Sequence, residues 1–254
     1  MLTILTPSKT MNFTINALHF SQGTVALFSN EANEIRTTIG KLSVTEIKDL
    51  MKVSDALAHR TYEVFRQPVV KRAFWAYDGD VFKGVQAETL DASAIAFAQN
   101  HIVVPSALYG LVRPNDLILP YRLEMKAKLS VAGTKNLYDF WGDKLAKHVE
   151  EHANGEVLIL SSYEYARTIL PYAKTTTRLV TPAFIDKKPN GQESQVAIYN
   201  KMMRGVMARW VIDNRIDALE LIKEFSAHGY HYDAIRSVDD KPVFYRPHMS
   251  PLRF

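Results

Sequence analysis

Short apolar runs that end in turn residues predict buried β-strands along this chain. Leu2–Leu5 is such a run, ended by Thr6-Pro7, and His101–Val104 and Glu156–Leu160 have the same character. Apolar runs of this length between turn residues are typical of strands that are covered on both faces. Further strands are predicted at Arg178–Ile185 and Gln195–Tyr199, with a closing hairpin of His231–Arg236 and Val243–Tyr245.

Apolar residues at helical spacing predict a pair of helices within residues 44–65, with Ser54 between them as an N-cap. The first helix carries Val44, Ile47, Leu50 and Met51, and the second carries Leu57, Ala58, Tyr62 and Phe65. Other helices are predicted at residues 21–39, 88–100, 136–153, 201–214 and 218–225. Residues 77–85 read as a turn, a short apolar strand and a second turn.

The segment 105–126 has the most specific pattern in the chain. Arg113-Pro114-Asn115-Asp116 predicts a turn, because proline presets φ and Asn and Asp side chains bond to nearby backbone. After Pro120 an alternating strand is predicted, with Tyr121, Leu123 and Met125 on one face and Arg122, Glu124 and Lys126 on the other. The charged face is either part of a polar site or a solvated edge strand.

Strands and helices alternate along the chain, and some neighbouring strands are expected to pair antiparallel. We therefore predict an α+β (mixed α/β) fold, with one mixed β-sheet surrounded by helices. No long linker, internal repeat or low-complexity segment divides the sequence. The expected organisation is a single compact domain over residues 1–254.

Composition narrows the function classes. The 254 residues are 47% hydrophobic and 23% charged, and they include no cysteine. Thiolate catalysis, disulfides and iron–sulfur ligation through cysteine are therefore excluded. No apolar run is long enough to span a bilayer and the N-terminus lacks signal-peptide features, so a cytoplasmic location without membrane contact is expected. A formal charge of +4 permits polyanion binding without requiring it.

Two histidine clusters are candidate metal sites. Residues 148–152 fit the His-x-x-Glu-His pattern of one zinc peptidase class, but no third ligand is identifiable from the sequence. Glu224, His228 and His231 form a looser group interrupted by Gly229. Since a metal site needs a defined ligand set, no metal ligand is assigned and no cofactor is expected.

Several motifs in order along the chain are similar to those of one bacterial family. They are Thr6-Pro7-Ser8-Lys9-Thr10, Gly79-Asp80-Val81-Phe82-Lys83-Gly84, Leu108-Tyr109-Gly110-Leu111, Arg113-Pro114 with Asp116, Pro120-Tyr121-Arg122-Leu123-Glu124-Met125, Leu137-Tyr138 with Phe140-Trp141-Gly142, Glu164-Tyr165 and Arg204-Gly205. On these motifs the chain resembles the YaaA peroxide-stress proteins. Ser8 stands where the family usually has alanine, and Ala107 stands where it has glycine.

The resemblance implies a role under hydrogen peroxide stress. Members of the family are thought to limit unincorporated iron, and thereby oxidative damage to DNA and protein. A helix-hairpin-helix element and a basic cleft in the family imply binding of double-stranded DNA with weak sequence preference. No enzymatic reaction is established for the family, so no catalytic residue is assigned.

Two groups of candidate residues follow. The cleft candidates are Lys9, Asp80, Arg113, Asp116, Tyr121, Arg122, Glu124, Glu164, Lys201 and Arg204. The DNA-binding candidates, at and near the turn between the paired helices, are Lys48, Lys52, Val53, Ser54 and Arg60. Such a hairpin can hold phosphate through backbone N–H groups, but this one lacks the usual glycines and could be an ordinary packed pair.

Two alternatives to DNA binding remain open. The first is an enzyme that acts on a nucleotide or nucleic-acid base, through a cluster of Lys9, Asp80, Arg113, Arg122 and Glu124. The second is an iron-binding protein. For the charged cluster, the plainer interpretation is a network of ion pairs that supports the turns.

Overall fold

The fold places helices around two mixed β-sheets. The computed structural model describes residues 1–14, 23–248 and 250–252. The helices are α1 Ser29–Gly40, α2 Val44–Met51, α3 Asp55–Val64, α4 Ala73–Ala76, α5 Asp80–Val85, α6 Ala92–His101, α7 Leu137–Trp141, α8 Lys144–His152, α9 Tyr163–Ala166 and α10 Ala197–Asp213. The strands are β1 Leu2–Leu5, β2 Lys71–Arg72, β3 Ile102–Ser106, β4 Gly110–Val112, β5 Leu117–Ile118, β6 Glu156–Leu160, β7 Arg178–Val180, β8 Ala183–Lys187, β9 Glu193–Ser194, β10 Ser226–Ala227, β11 Tyr230–Val238 and β12 Lys241–Arg246.

The first sheet has the strand order β4-β3-β1-β6-β7. Strands β3, β1, β6 and β7 are parallel, and β4 joins the edge antiparallel to β3. All four residues of β1 are buried, as expected for a strand at the centre of a covered parallel sheet. From β1 the chain proceeds to β3 on one side, and from β6 it proceeds to β7 on the other. The carboxyl ends of β1 and β6 therefore flank a topological switch point, where open α/β sheets form their ligand crevices.

The second sheet has the order β10-β11-β12-β8-β9. Its central pair, β8 and β12, is parallel, and the outer pairs are antiparallel. The mixed α/β class in a compact single domain is confirmed, but the expectation of one mixed sheet is wrong. The run Arg178–Ile185 is broken at Thr181-Pro182, where proline cannot donate to a strand ladder, and its two halves join different sheets.

The paired helices are present as α2 and α3, joined by residues 52–54. Ser43 and Glu46 form a reciprocal capping box at the start of α2. Ser54 caps α3, accepting from the backbone N–H of Leu57 at 3.4 Å, as predicted. Lys52 ends α2 in the left-handed region with φ of 51°. The geometry is that of a helical hairpin; membership of the DNA-binding helix-hairpin-helix class stays a prediction.

Other local predictions need correction. Residues 80–85 form α5 rather than a strand, because a short apolar run does not distinguish the two. Residues 121–126 join no ladder, although their predicted alternation of burial is retained. Residues 195–199 hold the start of α10, not a strand. Residues 218–225 form a 3₁₀ helix at Leu219–Glu224.

Three predicted helices have different bounds. Residues 136–153 form α7 and α8, separated at Gly142, which has φ of 48°. Helix α6 begins at Ala92, since the Asp91 side chain accepts from the N–H of Ala94 at 2.7 Å. Helix α1 begins at Ser29, and residues 21 and 22 of the predicted 21–39 helix lie outside the described residues.

Candidate functional site

The loops that follow β1 and β6 are tied together at the switch point. The backbone N–H of Ser162 donates to the Thr6 hydroxyl at 2.8 Å. Ser8 donates to the carbonyl of Asp78 at 2.8 Å and accepts from the N–H of Thr10 at 3.1 Å. A Cβ at Gly79 would lie 2.4 Å from the Ser8 hydroxyl, so a larger residue would displace Ser8 from these bonds. The start of α5 is therefore fixed against the loop that carries Lys9.

Helices α5 and α10 cross at two glycines. A Cβ on Gly205 would lie 1.8 Å from the carbonyl oxygen of Val81, and one on Gly84 would lie 2.6 Å from that of Met202. This backbone contact leaves no space for side chains between the helices. It fixes the first half of α10, which carries Lys201 and Arg204, beside α5.

A cavity of about 440 Å³, here called the switch-point pocket, opens where these elements meet. Lys9, Asp80, Glu164, Lys201 and Arg204 line it, so five of the ten cleft candidates are brought together. Asp78 and Lys83 complete its charged lining. Its position outside the carboxyl ends of β1 and β6 is the usual place for a ligand in such a sheet.

Arg204 is the most informative side chain of the pocket. Its side chain is partly buried, and burial lowers its pKa. Within the described residues it makes no hydrogen bond or ion pair, whereas buried charges are normally paired. An unpaired arginine that lines a pocket with Lys201 and Lys9 is suited to bind an anion such as phosphate.

A small hollow adjoins the pocket through Ser8, Lys9 and Tyr165, and is lined by Tyr121, Arg122 and Glu124. Glu124 is ion-paired with Lys9 at 2.8 Å and with Lys126 at 3.1 Å. Partial burial opposes its ionisation, but these two cations hold the pKa of Glu124 below its usual value. Arg122 donates to the carbonyl of Lys9 at 3.3 Å.

Tyr121 supports this hollow from beneath. Its hydroxyl bonds to those of Tyr77 and Ser106, each at 2.8 Å. Burial raises the pKa of Tyr121 to about 12, so the phenol stays protonated. The residue therefore acts as a neutral part of the hydroxyl network below the charged surface.

A third hollow, of about 600 Å³, separates the α2–α3 turn from residues 124–128. Lys52 and Val53 line one side, and Lys126 and Lys128 line the other. Glu124 lines this hollow and the small one, so the three hollows are neighbours between the hairpin and the switch point. We call the three hollows together the groove.

Basic side chains outnumber acidic ones along the described lining of the groove. The basic ones are Lys9, Lys52, Lys83, Arg122, Lys126, Lys128, Lys201 and Arg204; the acidic ones are Asp49, Asp78, Asp80, Glu124 and Glu164. Five of the cations have no ion pair with a described residue: Lys52, Arg122, Lys128, Lys201 and Arg204. These five charges are available to an external anion.

Two cleft candidates lie outside the groove. Asp116 is fully buried and accepts from the Thr24 hydroxyl at 2.6 Å, the Arg113 N–H at 2.8 Å and the Arg113 guanidinium at 3.2 Å. Together the pair stabilises the predicted 113–116 turn, which closes with a backbone bond between Asp116 and Arg113. Arg113 and Asp116 therefore fit the plainer interpretation, in which the charged residues form ion pairs that support the turns.

The DNA-binding candidates of the hairpin also differ in whether they line the groove. Lys48 is paired with Asp55 at 2.9 Å, Ser54 is used as a cap, and Arg60 bonds to the carbonyl of Ala56 on its own helix. None of these three lines the groove, whereas Lys52 and Val53 do. Lys126 and Lys128 also line the groove but are not among the sequence candidates, although Lys126 lies on the predicted charged face and Lys128 continues its alternation.

The two histidine clusters have different outcomes. One ligand atom from each of His148, Glu151 and His152 lies within 4.8 Å of the others. Burial and the neighbouring His152 ring lower the pKa of His148. No such grouping joins Glu224, His228 and His231, all of which are described.

Among the described residues, no helix is both long and apolar enough to cross a membrane.

Comparison with known proteins places this site in a family context. A family model described as "Peroxide stress protein YaaA" matches residues 1–236. A UPF0246 protein of Maricaulis maris is 38% identical over 257 residues, covering 97% of this chain and 96% of its own. UPF0246 proteins of Burkholderia cenocepacia and Paraburkholderia xenovorans are each 35% identical over 259 residues, covering 97% of this chain and 98% of their own. The chain therefore belongs to the YaaA peroxide-stress protein family.

Proposed function

We propose that this protein is a cytoplasmic peroxide-stress protein that binds double-stranded DNA in the groove with weak sequence preference. The observation that carries the proposal is the row of unpaired cations from the hairpin to the switch point: Lys52, Lys128, Arg122, Lys201 and Arg204. Cations without an ion-pair partner are free to replace the counterions of a phosphate backbone. Family membership supports a second part of the proposal, the lowering of unincorporated iron.

The hairpin turn contributes to the proposed interface through charge and position. Lys52 is exposed on the turn, and Val53 beside it lines the groove. Backbone N–H groups at a helix N-terminus favour phosphate oxygens, and α3 begins here. Contacts of this kind position a protein on duplex DNA without reading bases.

The test is fluorescence anisotropy with two duplexes of unrelated sequence across a salt series. Both duplexes should bind with similar affinity, and log K should fall linearly with log salt. Lys52→Ala should lower the slope by about 0.9, the value expected for one lost phosphate contact. Lys48→Ala, on the same hairpin, should leave the slope unchanged, because Lys48 is already paired with Asp55. Salt-independent binding, or equal effects of the two variants, would refute the proposed interface.

A second candidate function is chemistry on a nucleotide or base held in the switch-point pocket. The pocket volume of about 440 Å³ lies in the range of small-molecule sites. Arg204 offers an anion contact there, and the carboxylates of Asp80 and Glu164 line the same cavity. Carboxylates so placed can act as general acid or base.

This candidate has its own test. Deoxynucleoside monophosphates should bind the protein in calorimetry, and Arg204→Gln should abolish that binding. Duplex DNA incubated with the protein should then yield a modified or released nucleotide by chromatography, and Asp80→Asn or Glu164→Gln should stop its formation. Absence of nucleotide binding and of any product would remove this candidate while leaving DNA association standing.

A further inference from the structure

The geometry points to a divalent transition-metal site on the solvent side of α8, formed by His148, Glu151 and His152. Residues three and four positions apart lie on one face of a helix. Their ligand atoms lie within 4.8 Å of one another. The two imidazole rings are stacked, with centroids 4.1 Å apart. A tetrahedral metal with bonds of about 2.0–2.1 Å needs closer ligand atoms, which small side-chain rotations can supply.

The hydrogen bonding of His152 prepares it to act as a ligand. Its Nδ1 lies 2.8 Å from the carbonyl oxygen of His148. A carbonyl oxygen only accepts, so Nδ1 carries the proton and Nε2 of the neutral ring carries the free lone pair. Histidines that bind metals are commonly held this way, with the second ring nitrogen donating to a backbone carbonyl.

Neighbouring residues leave the metal-binding atoms of the three proposed ligands free, and the nearby charged side chains have partners of their own. Glu151 has no hydrogen bond or ion pair in the described part of the chain. Its neighbour Glu150 is engaged by the N–H of Lys174 at 3.1 Å and the Thr177 hydroxyl at 2.7 Å. Lys147 is paired with Asp143 at 2.8 Å. The edge contact of Phe28 with the His148 ring, at 6.0 Å, holds that ring against the body of the protein.

This donor set selects the class of metal. Two imidazoles and one carboxylate suit Zn²⁺ and its neighbours in the first transition row, rather than Mg²⁺ or Ca²⁺. Three protein ligands leave at least one position for water. Glu151 and His152 are exposed, so solvent water can reach that position.

The test uses the full chain, freed of any histidine tag, with Zn²⁺ in calorimetry and Co²⁺ in visible spectroscopy. One metal per chain should bind, and Co²⁺ should develop d–d absorption. The variant H148A/H152A should lower the affinity by roughly tenfold or more, and E151Q should lower it by less. The matched control is H228A/H231A, which removes two exposed histidines whose ligand atoms do not form a metal-binding group with Glu224.

The outcomes are distinct. Binding that is lost in H148A/H152A and kept in H228A/H231A supports the site. No saturable binding, equal loss in both double variants, or unchanged binding in H148A/H152A overturns it. Circular dichroism confirms the fold of each variant. If H148A/H152A fails to fold, E151Q decides, since an exposed Glu151 can be changed without loss of packing.

Discussion

The two arginines Arg246 and Arg204 have different roles because their partners differ. Arg246 is 1% exposed, and its guanidinium is bonded to the buried carboxylate of Asp186 at 2.6 Å. The Tyr230 hydroxyl donates to the same carboxylate. Arg204 is partly buried but has no such partner among the described residues. The first arginine stabilises the fold, and the second keeps its binding capacity for a ligand.

Substitution of each arginine by glutamine should separate these roles. Arg246→Gln leaves the charge of Asp186 buried without its cation and should cost about 3–5 kcal/mol of unfolding free energy. Arg204→Gln removes an unpaired charge from a partly buried place, so stability should stay the same or rise while DNA affinity falls. Urea unfolding and anisotropy measure both quantities. Equal destabilisation by the two changes would show that Arg204 is structural.

Glu220 provides a pH-dependent contribution to stability. Bonds from Lys223 and Arg178 lower its pKa from 4.5 to about 2. A carboxyl with a depressed folded-state pKa contributes stability above its unfolded value and loses it as the pH falls through the folded one. Glu220→Gln should therefore destabilise slightly at pH 7, and the difference from wild type should shrink between about pH 4.5 and pH 2.

Urea unfolding of both proteins across that pH range measures the effect. Glu63→Gln is the control, since Glu63 is exposed and has no ion pair with a described residue. It should leave the pH dependence as in wild type. A difference between Glu220→Gln and wild type that stays constant from pH 7 to pH 2 would contradict this assignment.

At the scale of elements, local signals made most of the fold predictable. Strands β1 and β6, the α2–α3 pair and the closing hairpin each carry their own periodicity and turn residues, and each was found as predicted. The sequence did not predict helix α5, because six residues with Gly79 before them and Gly84 among them are too short to show a period. Residues 121–126 kept their alternation but pair with no strand, which sequence spacing alone does not reveal.

The contact between α5 and α10 gives a prediction at this scale. Gly205→Ala forces a Cβ into the backbone of Val81, so the helices must separate. Overpacking of this kind costs about 1–3 kcal/mol, and separation of the walls should also weaken DNA binding. Gly40→Ala is the control, since nothing lies within 4 Å of the added Cβ. Urea unfolding that shows no loss for Gly205→Ala would refute the tight crossing.

At the scale of the whole molecule, the groove depends on long-range contacts. The loop after β1, the loop after β6, α10 and the hairpin come from distant parts of the chain, and their meeting depends on the sheet order. The sequence therefore identified Lys9, Arg122, Lys201 and Arg204 as candidates but could not separate them from Arg113 and Asp116. That separation required knowing which side chains line the groove.

The most direct test of the account is the salt dependence of duplex binding in two triple variants of equal charge. One removes the unpaired groove cations Lys52, Lys201 and Arg204 as K52A/K201A/R204Q. The other removes paired lysines elsewhere as K144A/K147A/K223A, whose partners are Glu31, Asp143 and Glu220. The groove variant should reduce the slope of log K against log salt by roughly 2.7, and the control should keep the wild-type slope. Equal slopes in the two variants would contradict the groove as the DNA site.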